Sequence, residues 1–329
     1  SGSGSMVSDV IINPEKYLFI SSFLLALLAA YVIYRISKLE YKRSGSLTGA
    51  LIIPFSLLLY MVIIDLPSRY IPDQLLMIIL LFYAELIIRY LYDGYKASKF
   101  AIYSGVLMAA GVMTKINFAP FFILPLFLLP GWKLKRTYGI AFGSLVMVLF
   151  LLIHHKFNEF VNFALKVSTH DGLYGGGQDQ FLNPEAFWNN LIQIMKDNPA
   201  LMVILVVTVI SLFLLWTRKD LRKAHRGELS FLSGFVLVAV ISIFIVAKHY
   251  KNYYIIPALS ISGLAWYMIW MISRRSRMRK LVPLLFLVVM IASLVRSGQI
   301  LVPGYTTKAN QKIQELATGS FIQMSMSPK

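Results

Sequence analysis

The chain contains no cysteine among its 329 residues, and only 14% of those residues carry a charged side chain. The first absence excludes disulfide bonds, thiolate catalysis and metals held by cysteine. The second excludes an ordinary soluble domain, in which roughly a quarter of the residues are charged. Hydrophobic residues make up 57% of the chain instead, and its mean hydropathy is +0.68. The composition therefore excludes a cytosolic globular enzyme, a disordered chain and a nucleic-acid partner, although the net charge is +17.

The apolar residues form blocks of about 13 to 20 residues, long enough to cross all or part of a bilayer core. Strands of an outer-membrane barrel would instead alternate apolar and polar residues with a period of two. We therefore predict an all-α polytopic membrane protein with about ten transmembrane or partly spanning helices. They are expected at 17–36, 47–64, 74–92, 101–113, 118–131, 138–154, 200–216, 231–247, 253–272 and 281–296. The predicted divisions of the chain are a tag or linker remnant at 1–5, a transmembrane helical domain at 6–296 with an outer loop at 156–199, and a non-cytoplasmic C-terminal tail at 297–329.

The distribution of basic residues indicates how these helices cross the membrane. Every second connection is basic, and together these connections hold 20 of the 32 Lys and Arg residues but only four of the 15 Asp and Glu residues. The positive-inside rule places them in the cytoplasm. Both termini and the outer loop are then expected on the non-cytoplasmic side. The same bias explains the positive net charge through topology rather than through a nucleic-acid partner.

A break in an apolar stretch is the first candidate site. Residues Phe100 to Pro130 are apolar except at Thr114-Lys115-Ile116-Asn117. Each flanking piece gives ~20 Å of helix, less than the ~30 Å core, so the Lys115 ammonium should lie below the outer surface in a polar cavity. We interpret it as a cationic site for an anionic ligand, helped by a helix N-terminus near Asn117. The alternative is a Lys side chain that extends to the interface from a kinked helix pair.

A short outer turn is the second candidate site. It begins with Lys248-His249-Tyr250-Lys251 and continues through two more Tyr residues to Pro257. Two ammonium groups and an imidazole at a membrane surface suit a phosphate or pyrophosphate headgroup. The alternative is the belt of Tyr and Lys residues that membrane proteins commonly carry at the interface.

The outer loop combines a glycine-rich segment with polar side chains. We expect Gly172–Gly177 to be mobile. A loop that folds back would make a lid over a lipid-facing cavity, whereas an exposed loop without a role is the alternative. The side chains that could then meet an ion or a sugar are His170, Asp171, Tyr174 and Asp179. The later stretch from Pro184 to Met195 predicts an amphipathic interfacial helix that bears Phe187 and Trp188.

Carboxylates are candidates for a general base or a metal ligand. Asp65 and Asp73 flank an outer turn, where pairing of Asp65 with Arg69 and N-capping of the next helix by Asp73 would explain both without a function. Glu85 is the one acid inside a predicted span, and Arg89 lies four residues later on the same helical face, which predicts an ion pair. No cluster has strong ligand spacing, so a divalent metal, Mg²⁺ or Mn²⁺, stays open as a cofactor.

Three stretches together resemble the GT-C-type integral membrane glycosyltransferases, which include the protein O-mannosyltransferases and the aminoarabinose transferase of lipid A. They are Tyr70-Ile71-Pro72-Asp73, Gly111-Val112-Met113-Thr114-Lys115, and Lys248-His249-Tyr250 with Tyr254-Ile255-Ile256-Pro257. The resemblance implies transfer of a sugar from a polyprenyl-phosphate donor, among membrane lipids, at the non-cytoplasmic face of a bacterial or archaeal plasma membrane. The donor phosphate would then be bound by Lys115, Lys248, His249, Tyr250 and Lys251.

The chain departs from that family's pattern at the catalytic carboxylate, which the family carries in its first outer loop. Here only Met6 to Lys16 precede the first helix, and the candidate carboxylates are Asp9, Asp73 and Asp171. Three explanations stay open: a first helix and loop are missing before Met6, Asp9 is a remnant of that loop, or the protein is a non-catalytic relative that needs another membrane subunit. A transporter or flippase for a lipid-linked anionic substrate is a competing hypothesis, because it would share the cationic cavity but should show inverted repeats.

Overall fold

The computed structural model describes residues 14–66, 71–152, 157–169, 182–274 and 277–300. These residues form α-helices, short 3₁₀ segments and brief connections, and no strand occurs among them. Within the same ranges, eight helices are long and apolar enough to cross a membrane. The prediction of an all-α polytopic membrane protein is therefore confirmed.

The helices follow one another closely along the chain. The first half contains α1 (Pro14–Ser44), α2 (Leu47–Leu57), α3 (Met61–Ile64), α4 (Ile71–Tyr92), α5 (Ala97–Thr114), a 3₁₀ segment (Ile116–Ile123), α6 (Leu124–Leu128) and α7 (Gly131–Leu152). The second half contains α8 (Phe157–Thr169), α9 (Pro184–Asp197), α10 (Pro199–Thr217), α11 (Lys219–Ala224), α12 (Arg226–Lys248), a 3₁₀ turn (Asn252–Ile255), α13 (Ile256–Ser273), a 3₁₀ turn (Arg277–Lys280) and α14 (Leu281–Ile300). The eight potential spans lie in α1, α4, α5, α7, α10, α12, α13 and α14.

All ten predicted segments have helical counterparts, but the prediction of one continuous helix at 47–64 was wrong. The segment predicted at 47–64 is divided into α2 and α3 by a short turn at 58–60, where the backbone N–H groups bond three residues back instead of four. The predicted outer loop contains two helices, α8 and α9. The helix predicted from Pro184 is confirmed as α9, which begins after the N-cap residue Asn183 and packs on α12.

Helix α13 forms the centre of the bundle and packs against α2, α4, α10 and α12. Of its membrane span, 89% is buried, compared with 6% for α7. Gly263 lets α2 approach closely, since a Cβ atom at that position would collide with the Ser56 hydroxyl. A buried hydrogen bond of 2.6 Å between the Tyr60 and Ser262 hydroxyls adds a polar contact at the same face. The outer helices instead expose large apolar side chains, as lipid-facing helices do.

Contacts between helices define two ends of the bundle. At one end, which we call the pair end, Asp73 near the start of α4 contacts Lys115 at the end of α5. At the other end, which we call the basic end, Arg43 at the end of α1 contacts Tyr267 late in α13, and Tyr92 at the end of α4 contacts the start of α12. Helices α1, α4 and α13 therefore run in one direction and α5 and α12 in the other. This alternation agrees with the predicted topology, which places the basic end in the cytoplasm.

The predicted ion pair between Glu85 and Arg89 is confirmed, and a second arginine joins it. The Glu85 carboxylate accepts hydrogen bonds from Arg89 on its own helix and from Arg35 on α1, at 2.9 and 2.7 Å. Glu85 itself is buried, at 4% exposure. Because an isolated carboxylate is costly in a membrane interior, two guanidinium groups compensate it there and tie α1 to α4.

Candidate functional site

An ion pair between two helices forms the centre of the candidate site. The Lys115 Nζ atom donates to both carboxylate oxygens of Asp73, at 2.9 and 3.1 Å. The Asp73 side chain is 2% exposed and that of Lys115 is 21% exposed, so the pair is open on the lysine side. The two residues lie 42 positions apart in the chain, and each is brought to the pair end by its own helix terminus.

Two tyrosine rings cover the lysine. The Lys115 Nζ atom lies 4.6 Å from the ring centre of Tyr253 and 4.7 Å from that of Tyr254. The two rings pack edge to face, with their centres 4.8 Å apart. Their negative faces attract the ammonium, and this attraction is stronger where water is excluded. The ammonium is therefore held by a carboxylate on one side and by aromatic faces on the other.

The helix break gives Lys115 its position. Helix α5 ends at Thr114, and Lys115 has extended backbone dihedral angles (φ −161°, ψ 129°) before the 3₁₀ segment begins. The Phe118 ring lies directly over Gly111, where a Cβ atom would collide with it. This close contact folds the 3₁₀ segment back along α5. The helix break predicted at Lys115 is confirmed. Because Gly111 has no side chain, the Phe118 ring can pack against α5 at that position.

Asn117 connects the break to the turn before α13. Its side-chain Nδ2 atom donates to the Tyr254 carbonyl oxygen at 2.8 Å. Its Oδ1 atom is buried and accepts no hydrogen bond from any residue that the structure describes. A buried acceptor without a donor is costly, and this one lies directly beside the helix break.

The structure brings together one residue or more from each of the three stretches singled out in the sequence. Asp73, Lys115 and the pair Tyr253–Tyr254 meet at the pair end. In the turn before them, the Tyr250 hydroxyl donates to Asp197 at the end of α9, at 2.7 Å. Burial, together with the Asp197 carboxylate, raises the pKa of Tyr250, so this hydroxyl stays protonated as a donor.

One predicted role was wrong, and several predictions fall outside the described residues. Asp73 is not the N-cap residue of α4, as the sequence had suggested. Helix α4 begins at Ile71, because Pro72 fits the first turn, where its missing N–H is not needed. Asp73 is thus inside the first turn and uses its carboxylate for Lys115. The predictions outside the described residues concern Asp9, Arg69, His170, Asp171, Gly172–Gly177 and Asp179, and the same holds for Tyr174.

A second polar cluster lies at the basic end and was not predicted from the sequence. Buried Glu40 accepts hydrogen bonds from Arg43 Nε and Nη2 at 2.9 and 2.6 Å and from the Tyr267 hydroxyl at 2.6 Å. Close by, Glu228 accepts from the Tyr92 hydroxyl at 3.1 Å and contacts His225 at 3.3 Å. The spacing of Glu40 and Arg43, three residues apart on one helix, was the available signal.

The described part of the chain offers no set of His, Asp or Glu side chains that could bind a metal ion. Among those residues, no group of three or more His, Asp or Glu side chains lies close enough to hold a metal ion. Asp73, the best-placed carboxylate, is already neutralised by Lys115. Mg²⁺ or Mn²⁺ therefore stays a prediction without identified ligands.

Fold and site together define a polytopic membrane protein with a buried ion pair at a broken helix. Residues 188–316 match the family model described as transmembrane exosortase (Exosortase_EpsH). The matched segment runs from α9 through α14, less than half of the chain, and includes the turn with Tyr253 and Tyr254. Asp73 and Lys115 lie outside it. Searches of curated proteins and of solved structures gave no match.

The family match overturns the resemblance to the GT-C-type glycosyltransferases. Exosortases are a family of membrane proteases and transpeptidases, so the predictions of sugar transfer and of a polyprenyl-phosphate sugar donor were wrong. The three stretches that suggested them consist of Pro near a helix start and of Tyr and Lys near a helix end. Membrane proteins place these residues at interfaces for general physical reasons, and such short stretches do not identify a family.

Proposed function

We propose that this chain acts on other proteins at the membrane and that it binds the membrane-anchored segment of its protein substrate at the Asp73–Lys115 site. The observation that carries this proposal is the match of residues 188–316 to the transmembrane exosortases, a family of membrane enzymes that act on proteins. The matched part contributes Tyr253 and Tyr254, which cover an ion pair from the unmatched part. The site thus depends on both parts of the chain.

The chemistry of the site suits an extended peptide. A non-helical backbone at membrane depth exposes N–H and C=O groups, and each must find a partner inside the protein. The half-open Lys115 ammonium can donate to a carbonyl. The enclosed Asn117 Oδ1 atom can accept from an N–H once a bound peptide displaces the side chains that cover it. The Tyr253 and Tyr254 rings supply an apolar surface beside these groups. Peptide binding would therefore satisfy the polar groups of both partners.

The matched family consists of membrane cysteine proteases, whereas this chain has no cysteine, so any bond exchange on the bound protein would proceed without a thiol from the chain. Thr114 is the hydroxyl residue next to Lys115, but it donates to the Ala110 carbonyl of its own helix at 2.8 Å. The Lys115 side chain is engaged by the Asp73 carboxylate and by the Tyr253 and Tyr254 rings. The described part of the site therefore supports binding and orientation of a peptide, with water or an oxygen nucleophile as the attacking group in any cleavage.

Photo-crosslinking from position 116 tests this proposal. Ile116 is adjacent to Lys115 and 44% exposed, so a photoreactive amino acid placed there should capture a protein bound in cells that carry the gene. The captured residues, identified by mass spectrometry, should flank an apolar segment of the bound protein. Asp73→Asn keeps the size of the side chain, and Lys115→Gln shortens it by one atom. Together they remove both charges and should lower the capture about tenfold. Trimmed ends on the captured chain would identify an enzyme, and intact ends a binding protein or subunit.

The control places the same photoreactive group at position 213. Phe213 on α10 is 68% exposed and lies away from the ion pair, so capture there reports lipid and random neighbours. Capture of lipid alone at position 116, or an equal set of proteins at both positions, would contradict the proposal. Capture that the charge-free double variant leaves unchanged would contradict the role of the ion pair.

A further inference from the structure

A cavity opens at the basic end of the bundle, at the opposite end from Asp73 and Lys115. Its volume is about 920 Å³, which falls within the usual range of roughly 300–1,000 Å³ for ligand pockets. Its walls come from the ends of α1, α4 and α13, from the starts of α2 and α12, and from the 3₁₀ turn before α14. The family match and the proposed peptide site leave this cavity without a role.

One wall of the cavity is held rigid by buried charges. Arg43 is joined to buried Glu40 and lies over the Tyr92 ring, with 4.3 Å from its Cζ atom to the ring centre. Glu228, which lines the same cavity, is engaged by the Tyr92 hydroxyl and by His225. The charge of Arg43 is thus compensated by Glu40, and Glu228 is held in place by the Tyr92 hydroxyl and His225.

Two further guanidinium groups line the cavity from the other side. Arg274 lies over the Trp270 ring, with its Cζ atom 5.0 Å from the ring centre, and Arg279 follows in the 3₁₀ turn. Neither forms an ion pair with any carboxylate in the described ranges. Stacking on Trp270 restricts the Arg274 side chain, so less conformational entropy is lost when it binds a ligand. The cavity therefore presents two guanidinium groups against the single Glu228 carboxylate, about one net positive charge.

We propose that this cavity binds a phosphate group, carried either by an anionic lipid headgroup or by a soluble molecule. The guanidinium fork matches phosphate oxygens in a bidentate manner, and two arginines match the one to two negative charges of a phosphate ester. Hydroxyl groups on the facing wall, in Ser46 and Thr48, can donate to the remaining oxygens. This site lies at the other end of the bundle from the proposed peptide site and does not depend on it.

Calorimetric titration of the purified full chain in maltoside micelles tests the proposal. The probes are inorganic phosphate, inorganic pyrophosphate and dihexanoyl phosphatidylglycerol, with dihexanoyl phosphatidylcholine as the lipid of no net charge. We expect at least one anionic probe to bind, and Arg274→Gln with Arg279→Gln to weaken that binding at least tenfold. Preference for phosphatidylglycerol over inorganic phosphate would identify a lipid headgroup, and the reverse a soluble ligand. Arg274→Lys with Arg279→Lys keeps the charge and should restore part of the affinity.

The matched control is Lys133→Gln with Arg136→Gln, which removes the same charge from exposed positions on α7. It should leave binding unchanged. If this control weakens binding as much as Arg274→Gln with Arg279→Gln does, the effect depends only on the net charge of the protein. That result would overturn the proposal. So would a parent chain that binds none of the anionic probes, or one that binds phosphatidylcholine as tightly as phosphatidylglycerol. Both variants alter residues outside the buried core, and their thermal unfolding checks that they are folded.

Discussion

At the scale of single residues, the buried carboxylates depend on specific partners. Asp73 has Lys115, Glu85 has two arginines, and Glu40 has Arg43 together with a tyrosine hydroxyl. A buried charge is more costly alone than a buried pair is together, because the solvation lost on burial is returned only by the partner. Removing one member of a pair should therefore harm the fold more than removing both.

The Asp73–Lys115 pair allows a direct measurement of this effect. Lys115→Met should lower the free energy of unfolding by about 3–5 kcal/mol, because it leaves the Asp73 carboxylate buried and unpaired. Adding Asp73→Asn to that variant should restore part of the loss. Unfolding in mixed micelles with a denaturing detergent gives the three free energies that the cycle needs. Lys133→Met, at an exposed position, serves as the control, and a double variant less stable than Lys115→Met would contradict the prediction.

The same residues separate what the sequence could predict from what it could not. The break at Lys115 followed from arithmetic, since the apolar pieces on either side are too short to span. Its partner Asp73 lies 42 positions away on another helix, and no local periodicity encodes that contact. Arg43 and Arg274 were assigned to topology, because a basic residue at a helix end looks the same whether it lines a cavity or meets water. Cavities form between helices and have no signature in any one of them.

At the scale of helices, glycine determines how closely neighbours pack. Helices α5 and α7 meet at Gly105, where a Cβ atom would lie 2.7 Å from the Tyr138 carbonyl oxygen and 2.8 Å from the Ala141 side chain. A contact this short leaves no room for a methyl group without moving a backbone. Gly139 on α7 is different, because the space around its Cβ position is open to 4 Å. The two glycines offer the same substitution in opposite surroundings.

We predict opposite effects of alanine at these two positions. Gly105→Ala should destabilise the protein by about 1–3 kcal/mol, because α7 must move away. Gly139→Ala should be neutral or stabilise it by up to about 1 kcal/mol, because alanine favours the helix over glycine. Thermal unfolding in micelles compares both variants with the parent. Equal shifts in the same direction would show that helix propensity rather than close packing governs this interface.

At the scale of the whole molecule, the two polar sites lie at opposite ends of the bundle. The basic end carries the residues that the positive-inside rule places in the cytoplasm, among them Lys42 and Arg222. The peptide site would then face the non-cytoplasmic side, and the phosphate cavity would face the cytoplasm. The orientation of the chain therefore decides which solutes can reach each site.

Labelling of single cysteines tests this orientation, and the cysteine-free chain gives it a clean background. In intact cells, a membrane-impermeant maleimide should label Glu185→Cys and Asn189→Cys on α9. It should label Lys42→Cys, Lys135→Cys and Arg222→Cys only after the membrane is opened. Labelling of position 222 in intact cells would show that the chain crosses the membrane in the opposite orientation. Labelling of both groups in intact cells would contradict the alternation of the helices.

The pairing of Glu40 with two partners has a consequence for how the chain is made. Tyr267 is synthesised 227 residues after Glu40. At about 5–20 residues per second, this leaves the carboxylate without the tyrosine hydroxyl for roughly 10–45 s. Arg43 emerges from the ribosome almost together with Glu40 and lies three residues further along the same helix, so it can neutralise the carboxylate from the beginning. Helix α1 therefore inserts into the bilayer with Arg43 as the counterion of Glu40. When α13 is added later, its Tyr267 hydroxyl replaces only the contacts that lipid headgroups or water made with Glu40 in the meantime.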